Sequence, residues 1–130
     1  MPSLVLTVLI LFALFQIKHM FADYFLQTPK MLSGRGEYWH MGRAQHALVH
    51  SAGSVICFLL VGSTWLFVVL IVLFEIVVHF NIDWCKASWC EARNLDPTKA
   101  AFWRAAGFDQ AMHQLTYVIM VAAWVMWGQG

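Results

Sequence analysis

Residues 65–84 read WLFVVLIVLFEIVVHFNIDW. A helix that crosses the bilayer core needs about 20 predominantly apolar residues, and this stretch has that length. Three ionisable residues interrupt it at intervals of four: Glu75, His79 and Asp83. Because residues four apart lie on one face of an α-helix, the stretch predicts a membrane-spanning helix with a single polar face.

The composition of the whole chain extends this prediction to all 130 residues. Hydrophobic residues make up 61% of the chain, charged residues make up 12%, and the mean hydropathy is +0.66. These values are too apolar for a soluble domain of this size and predict an integral membrane protein. We expect a single integral-membrane domain over residues 1–130.

Apolar stretches of similar length recur along the chain and predict an all-α, four-helix transmembrane bundle. The spans are expected at residues 4–27, 43–62, 64–84 and 107–128. The first stretch has neither a basic leader nor a small-residue cleavage site, so we expect a retained helix rather than a signal peptide. Before the last span, Asp96 can cap a helix that starts at Pro97. We expect a short interfacial helix there, ended by Gly107.

Basic residues are concentrated in two of the three predicted connections. They are Lys30, Arg35 and Arg43 in or beside the first connection, and Lys86, Arg93, Lys99 and Arg104 in the third. Cytoplasmic loops of membrane proteins are enriched in Lys and Arg. The distribution therefore predicts that both longer connections are cytoplasmic and that both termini lie outside.

Pairs of ionisable residues four positions apart occur in every predicted span. They are His19/Asp23, His46/His50, Glu75/His79 continued by Asp83, and Asp109/His113. With alternating helix directions, all nine groups fall in the cytoplasmic half of the bundle. Ionisable groups are costly inside a bilayer and tend to mark function. We therefore expect these groups to form one site.

Imidazoles and carboxylates on facing helices are typical ligands of zinc, iron or manganese. A mononuclear catalytic site uses three protein ligands and one open position, so nine candidates exceed what a single divalent metal ion needs. We expect two ions, or one ion surrounded by a relay, with Asp83 and Glu75 as candidate catalytic bases. The alternative is a hydrogen-bonded network without an ion, because His and Asp one turn apart can satisfy each other.

Other features limit the possible functions. The net charge of +1 is spread over the loops without a basic stripe, so we expect no nucleic-acid partner. Cys85 and Cys90 lack the spacing of a zinc knuckle. Lys18 is expected to snorkel towards the membrane interface. The chain has neither a phosphate-binding glycine loop nor a nucleophile elbow.

The order of the motifs resembles a known family. The pattern HxxxDxxxQ begins at His19, HxxxH at His46, HxxxD at His79 and DQxxH at Asp109. Together these motifs resemble a bacterial and phage family of small four-span membrane proteins of unknown function. The resemblance implies one functional set of eight residues: His19, Asp23, His46, His50, His79, Asp83, Asp109 and His113. It implies no mechanism, and Glu75 lies outside the pattern. We expect the bundle to lie in a bacterial inner membrane.

The expected activity is metal-dependent hydrolysis of a lipid-like substrate, with a carboxylate as general base. A looser similarity to membrane proteins labelled metal-dependent hydrolases offers an analogy for this activity. Oxidative chemistry with two irons would fit the same residues. The alternative class is a non-enzymatic membrane subunit whose His/Asp network relays protons or ions, or stabilises an assembly. Either class is compatible with membrane lipid as a partner and with a homo-oligomer or a partner membrane protein.

Overall fold

A computed structural model gives the fold of residues 3–130, and this described range contains helices and no strand. The helices are α1 (Leu4–Met20), α2 (Pro29–Leu32), α3 (Met41–Leu60), α4 (Trp65–Ala92) and α5 (Ala100–Ala123). Two π-helical turns, Phe21–Phe25 and Trp124–Gly128, continue α1 and α5. The all-α prediction is confirmed.

The long helices pack in a ring, in which α1 contacts α3 and α5, and α4 contacts the same two helices. Successive long helices run antiparallel, and one tight turn and two longer connections join them. At one end, hereafter the turn end, Gly62 adopts φ +77°, which glycine tolerates without strain. The backbone N–H of Thr64 donates there to the carbonyl of Gly128 over 3.1 Å. The opposite end, the loop end, carries the two longer connections.

The interior of the bundle changes character along its axis. The half towards the turn end is an apolar core built from Leu11, Phe15, Cys57, Phe58, Phe67, Val68, Ile71, Tyr117, Met120, Val121 and Trp124. Towards the loop end, the inward-facing positions of the same helices carry buried histidines and a buried Lys and Glu. The spacing of three and four residues is unchanged, so one helical face carries both halves.

The exterior is largely apolar. Val5, Leu60, Leu66 and Phe108, which lie on four different helices, are all exposed, and many other large apolar side chains are exposed with them. Two helical segments, Leu4–Phe25 and Trp65–Ala92, are long and apolar enough to cross a membrane. Continuous apolar surface of this extent is typical of a membrane or protein interaction face.

Helix α4 continues eight residues beyond the predicted end of its span, from Trp84 to Ala92. The indole Nε1 of Trp84 donates to the carbonyl of Gly36 over 3.1 Å, and Ala87 and Cys90 are buried. Packing against the first long connection therefore stabilises a segment that was predicted to be a loop.

The predicted interfacial helix does not exist as a separate element. Asp96 accepts hydrogen bonds from the backbone N–H and hydroxyl of Thr98, and these bonds lower the pKa of its carboxyl group. They close a turn, and α5 begins later, at Ala100. The helix then runs through Gly107 without a break. The helix-forming residues on both sides of Gly107 and packing against α4 outweigh the small helix penalty of one glycine.

We predict that Gly107→Ala raises the thermal stability of the detergent-solubilised protein by about 0.5–1 kcal/mol. A Cβ atom at Gly107 would meet nothing within 4 Å, so alanine gains helix propensity without a clash. Gly53→Ala is the matched control, because its Cβ would lie 2.6 Å from Cγ of Lys18 and should lower stability. A lower melting temperature for Gly107→Ala would contradict the continuous helix.

Candidate metal centre

The π-helical turn Phe21–Phe25, which follows α1, carries Asp23 at its centre. Single π-turns inside α-helices are rare and frequently occur at functional sites. The wider turn lets Asp23 contact His19 on its own helix, with Nε2 to Oδ2 at 2.9 Å, and also α3. No feature of the sequence pattern predicted this turn.

The first candidate ligand group joins α1 to α3. Oδ1 of Asp23 lies 2.8 Å from Nε2 of His50. The ligand atoms of His19, Asp23 and His50 all lie within 4.8 Å of one another. Nδ1 of His19 lies 2.8 Å from the hydroxyl oxygen of Tyr117, and a contact of this kind orients a metal-binding imidazole. We call this group the α1–α3 triad.

The second candidate group joins α4 to α5 and consists of His79, Asp83 and His113, whose ligand atoms also lie within 4.8 Å. Nε2 of His79 is 3.1 Å from Oδ2 of Asp83, and Nε2 of His113 is 3.4 Å from Oδ1. Nδ1 of His113 lies 2.8 Å from the backbone carbonyl of Asp109, to which it can only donate. Nε2 is then the nitrogen free to bind a cation. We call this group the α4–α5 triad.

The two triads have the same composition and use no residue in common. Each combines a His and an Asp four positions apart on one helix with a His from the next long helix. His46 lies between them, with Nε2 3.4 Å from Oδ1 of Asp23 and 3.6 Å from Oδ2 of Asp83. It also forms a third group with His50 and His79. The five imidazoles and two carboxylates are therefore one continuous cluster.

Several nitrogens in this cluster are buried without a hydrogen-bond partner among residues 3–130. They are Nδ1 of His46 and His50 and Nε2 of His79 and His113. An unsatisfied buried polar atom costs about 1–3 kcal/mol, so native proteins rarely keep several together without a reason. Nε2 of His79 and Nε2 of His113 lie beside Asp83, whereas His46 and His50 face the carboxylates with Nε2 and not with the unpaired Nδ1. A cation bound at Asp83 would satisfy the two Nε2 lone pairs and compensate the carboxylate charge.

Asp109 and Glu75 lie outside both triads. Oδ2 of Asp109 is 3.9 Å from Nδ1 of His113, and Oδ1 is buried without a hydrogen-bond partner in the described chain. Oε1 of Glu75 is 2.6 Å from Nζ of Lys18. The geometry therefore separates Glu75, a predicted catalytic base, from the histidines and gives it a partner of its own.

The prediction that Lys18 snorkels to the interface is wrong. Its side chain is buried, its Nζ lies 4.7 Å from the ring centroid of Tyr117, and it pairs with the equally buried Glu75. The lysine can be buried for two reasons. Gly53 has no side chain, so the methylene groups of Lys18 fill the space beside it, and the carboxylate of Glu75 neutralises the ammonium group. The ion pair separates the apolar core from the histidine cluster.

Sequence reasoning also missed Arg43, which it assigned to the edge of a loop. The residue is buried, with its guanidinium carbon 3.8 Å from the ring centroid of Phe80. It donates to the backbone carbonyls of Glu37, Tyr38 and Phe80. Its position three residues before His46 was the available signal, because that spacing puts both on one face. Arg43 holds the first long connection against α3 and α4.

A cavity of about 480 Å³ opens at the loop end and reaches the cluster. Its lining includes Asp23, His46 and Asp83 of the cluster, together with Asp109 and the cations Arg35 and Lys86. Gln110, whose Oε1 lies 3.1 Å from Nε2 of His19, also lines it. The arrangement gives a small polar group access to the cluster from the loop end, while the apolar core fills the bundle beyond it.

Comparisons with known proteins give a family assignment for this chain. A model of the family described as "Protein of unknown function (DUF3307)" matches residues 10–129. No curated protein and no solved structure matches the chain significantly. The match covers α1 from residue 10, the whole of α3, α4 and α5, and every residue of the histidine cluster.

Proposed function

The chain belongs to the DUF3307 family, whose description assigns no function, and we propose that it is a four-span membrane hydrolase with two divalent metal ions. In this proposal each triad holds one ion, and the substrate is lipid-like. The single observation that carries the proposal is the pair of His-Asp-His triads, which share no residue and combine buried histidines with a half-buried aspartate.

The ligand atoms of each triad limit which metals fit the site. Two imidazoles and one carboxylate per ion suit zinc, iron or manganese, and they leave open positions for water and substrate. Such ions, when bound, activate water and polarise a carbonyl or phosphoryl oxygen. His46 lies between Asp23 and Asp83, within 3.6 Å of each, so the two triads are neighbours. This closeness supports the proposal that the two ions act on one substrate.

Asp109 is the general base in this proposal, in place of Glu75. Both residues keep one carboxylate oxygen without a hydrogen-bond partner in the described chain, but Asp109 lines the cavity and Glu75 does not. A base must lie within reach of the reacting water, and a carboxylate whose two oxygens are already committed to other partners serves this role poorly. Asp23 and Asp83 would instead hold imidazoles and ions.

A proton or ion relay through the membrane is the weaker alternative. Such a relay needs polar groups along the whole bundle, whereas the half towards the turn end is filled by apolar side chains. A site open at the loop end alone is what a hydrolase acting on one leaflet requires.

The exposed apolar side chains on all four long helices support four membrane spans, including α3 and α5. The basic residues at the loop end support a cytoplasmic location for that end in a bacterial inner membrane. We therefore predict that alkaline phosphatase fused to either terminus is active and that green fluorescent protein fused there is dark. A fluorescent fusion at either terminus would reverse the proposed orientation.

Hydrolysis is tested with purified protein in lipid nanodiscs, using a panel of phosphate-ester and carboxylic-ester lipids. We expect turnover that stops on chelation and returns with zinc, iron or manganese. Asp109→Asn should lower kcat by about 10²–10⁴-fold at unchanged metal content, because it removes only the proton acceptor. Asp96→Asn, in an exposed loop, is the matched control. Oxygen consumption without hydrolysis would instead establish oxidative chemistry.

A further inference from the structure

A second concave surface lies on the outside of the bundle, between α4 and α5. It is a groove of about 800 Å³ near the loop end. Its deeper part is apolar, with Val77, Val78, Phe108 and Met112 in the wall. Lys86 and Arg104 line it as well. The histidine triads face the interior, so this groove is a separate feature of the same pair of helices.

The polarity of the groove changes along the helix axes. Because α4 runs towards the loop end and α5 runs away from it, Val77 and Met112 lie deepest. Lys86 and Arg104 lie nearer the loop end, each about two turns closer than these two apolar residues. An amphiphile in a bilayer has the same polarity gradient, with its chains towards the membrane centre and its headgroup at the surface.

The groove lies next to the polar cavity that reaches the triads. Lys86 and Asp109 line both spaces, so they stand at the boundary between them. Nζ of Lys86 lies 5.3 Å from the ring centroid of Phe102, which orients the ammonium group at this boundary. A headgroup at Lys86 is therefore next to the entrance of the candidate metal centre.

We infer that this groove binds a membrane lipid with a phosphate-bearing, anionic headgroup, and that such a lipid is the substrate class of the proposed hydrolase. The second half of this inference rests on the proposed function. The occupant follows from charge complementarity: Arg and Lys are the side chains that pair best with phosphate, and their positions match the headgroup end of the groove. The negative charge of Asp109 in the groove wall repels an anionic headgroup. Bound metal ions would offset this charge and should therefore strengthen headgroup binding.

The test measures lipid binding by native mass spectrometry of the metal-loaded protein, with phosphatidic acid and phosphatidylcholine in competition. We expect a preference of about tenfold or more for phosphatidic acid, since each basic residue near an anionic lipid contributes on the order of 1 kcal/mol. The double variant Lys86→Gln/Arg104→Gln should lose this preference. Lys30→Gln/Lys99→Gln removes the same charge from exposed positions outside the groove and should keep it.

A third variant tests the groove itself without a change of charge. Ala105→Trp places a large side chain in the groove wall and should reduce binding of both lipids. Equal binding of the two lipids, equal loss in both double variants, or a groove occupied by a second copy of the chain would overturn the inference.

Metal content measured on the same samples separates this inference from the proposed function. A lipid preference that persists in protein without metal would support the lipid site while the hydrolase proposal fails. Two bound ions without any lipid preference would leave the metal centre standing and overturn the lipid site.

Discussion

Asp23→Asn is expected to lower the metal content of the purified protein from two ions per chain to one, and Asp83→Asn is expected to do the same. The double variant should bind none. Each carboxylate belongs to one triad alone, and the two triads share no residue. Loss of either carboxylate should therefore empty one position and leave the other occupied.

The size of this effect follows from the chemistry of the substitution. Asparagine keeps the volume of aspartate but replaces a charged oxygen with a neutral amide. Removal of a residue that merely orients a ligand already costs about 10–100-fold in metal affinity, so loss of a ligand should cost more than about 100-fold. The remaining two histidines of that triad are too few for a stable site.

The measurement is elemental analysis of the solubilised protein after dialysis against metal-free buffer. Asp96→Asn serves as the control, because it removes an exposed carboxylate in the loop before α5 and should keep both ions. A wild-type protein without stoichiometric metal would end the metal proposal. If each single variant lost both ions, the two ions would share one centre and the proposal of two separate positions would be wrong.

Lys18→Met is expected to destabilise the protein by about 3–5 kcal/mol, which corresponds to a drop in melting temperature on the order of 10 °C. The change leaves the carboxylate of Glu75 buried without its partner, since the two side chains are joined at 2.6 Å and are almost inaccessible. A single buried charge is far more costly than a buried pair.

The double variant Lys18→Met/Glu75→Gln should recover at least half of that loss, because neither side chain is then charged. Thermal unfolding in detergent, followed by circular dichroism, measures these two variants, the single variant Glu75→Gln and the control. Lys99→Met is the matched control: it breaks the exposed pair with Asp96 and should cost less than about 1 kcal/mol. Glu75→Gln with an unchanged melting temperature and no activity would restore the catalytic role that the sequence predicted for Glu75.

The helices were largely predictable because apolar runs and polar spacings are local properties of the chain. The stretch at residues 65–84 is helical, and α1 with its π-turn ends at Phe25, two residues before the predicted limit. The errors lie where tertiary packing outweighs local signals. Trp84 and the first connection extend α4, and packing carries α5 through Gly107.

The convergence of the histidines was also predictable, since residues four apart share a face and antiparallel helices bring similar depths together. The pairing within the cluster was not. His50 approaches Asp23 across 27 positions of sequence at 2.8 Å, and this contact depends on a π-turn that has no recognised sequence signal. The division of six of the seven cluster residues into two triads, with His46 between them, is therefore a property of the packed bundle.

The amino-acid sequence by itself determined the helical class, the apolar exterior and the faces that carry ionisable residues, because each follows from spacing along one helix. Only the tertiary structure decided which groups are partners. It paired Glu75 with Lys18, set Asp109 apart from both triads and buried Arg43, because contacts between helices depend on rotation and depth to within a few ångströms. One-dimensional spacing does not encode those two quantities.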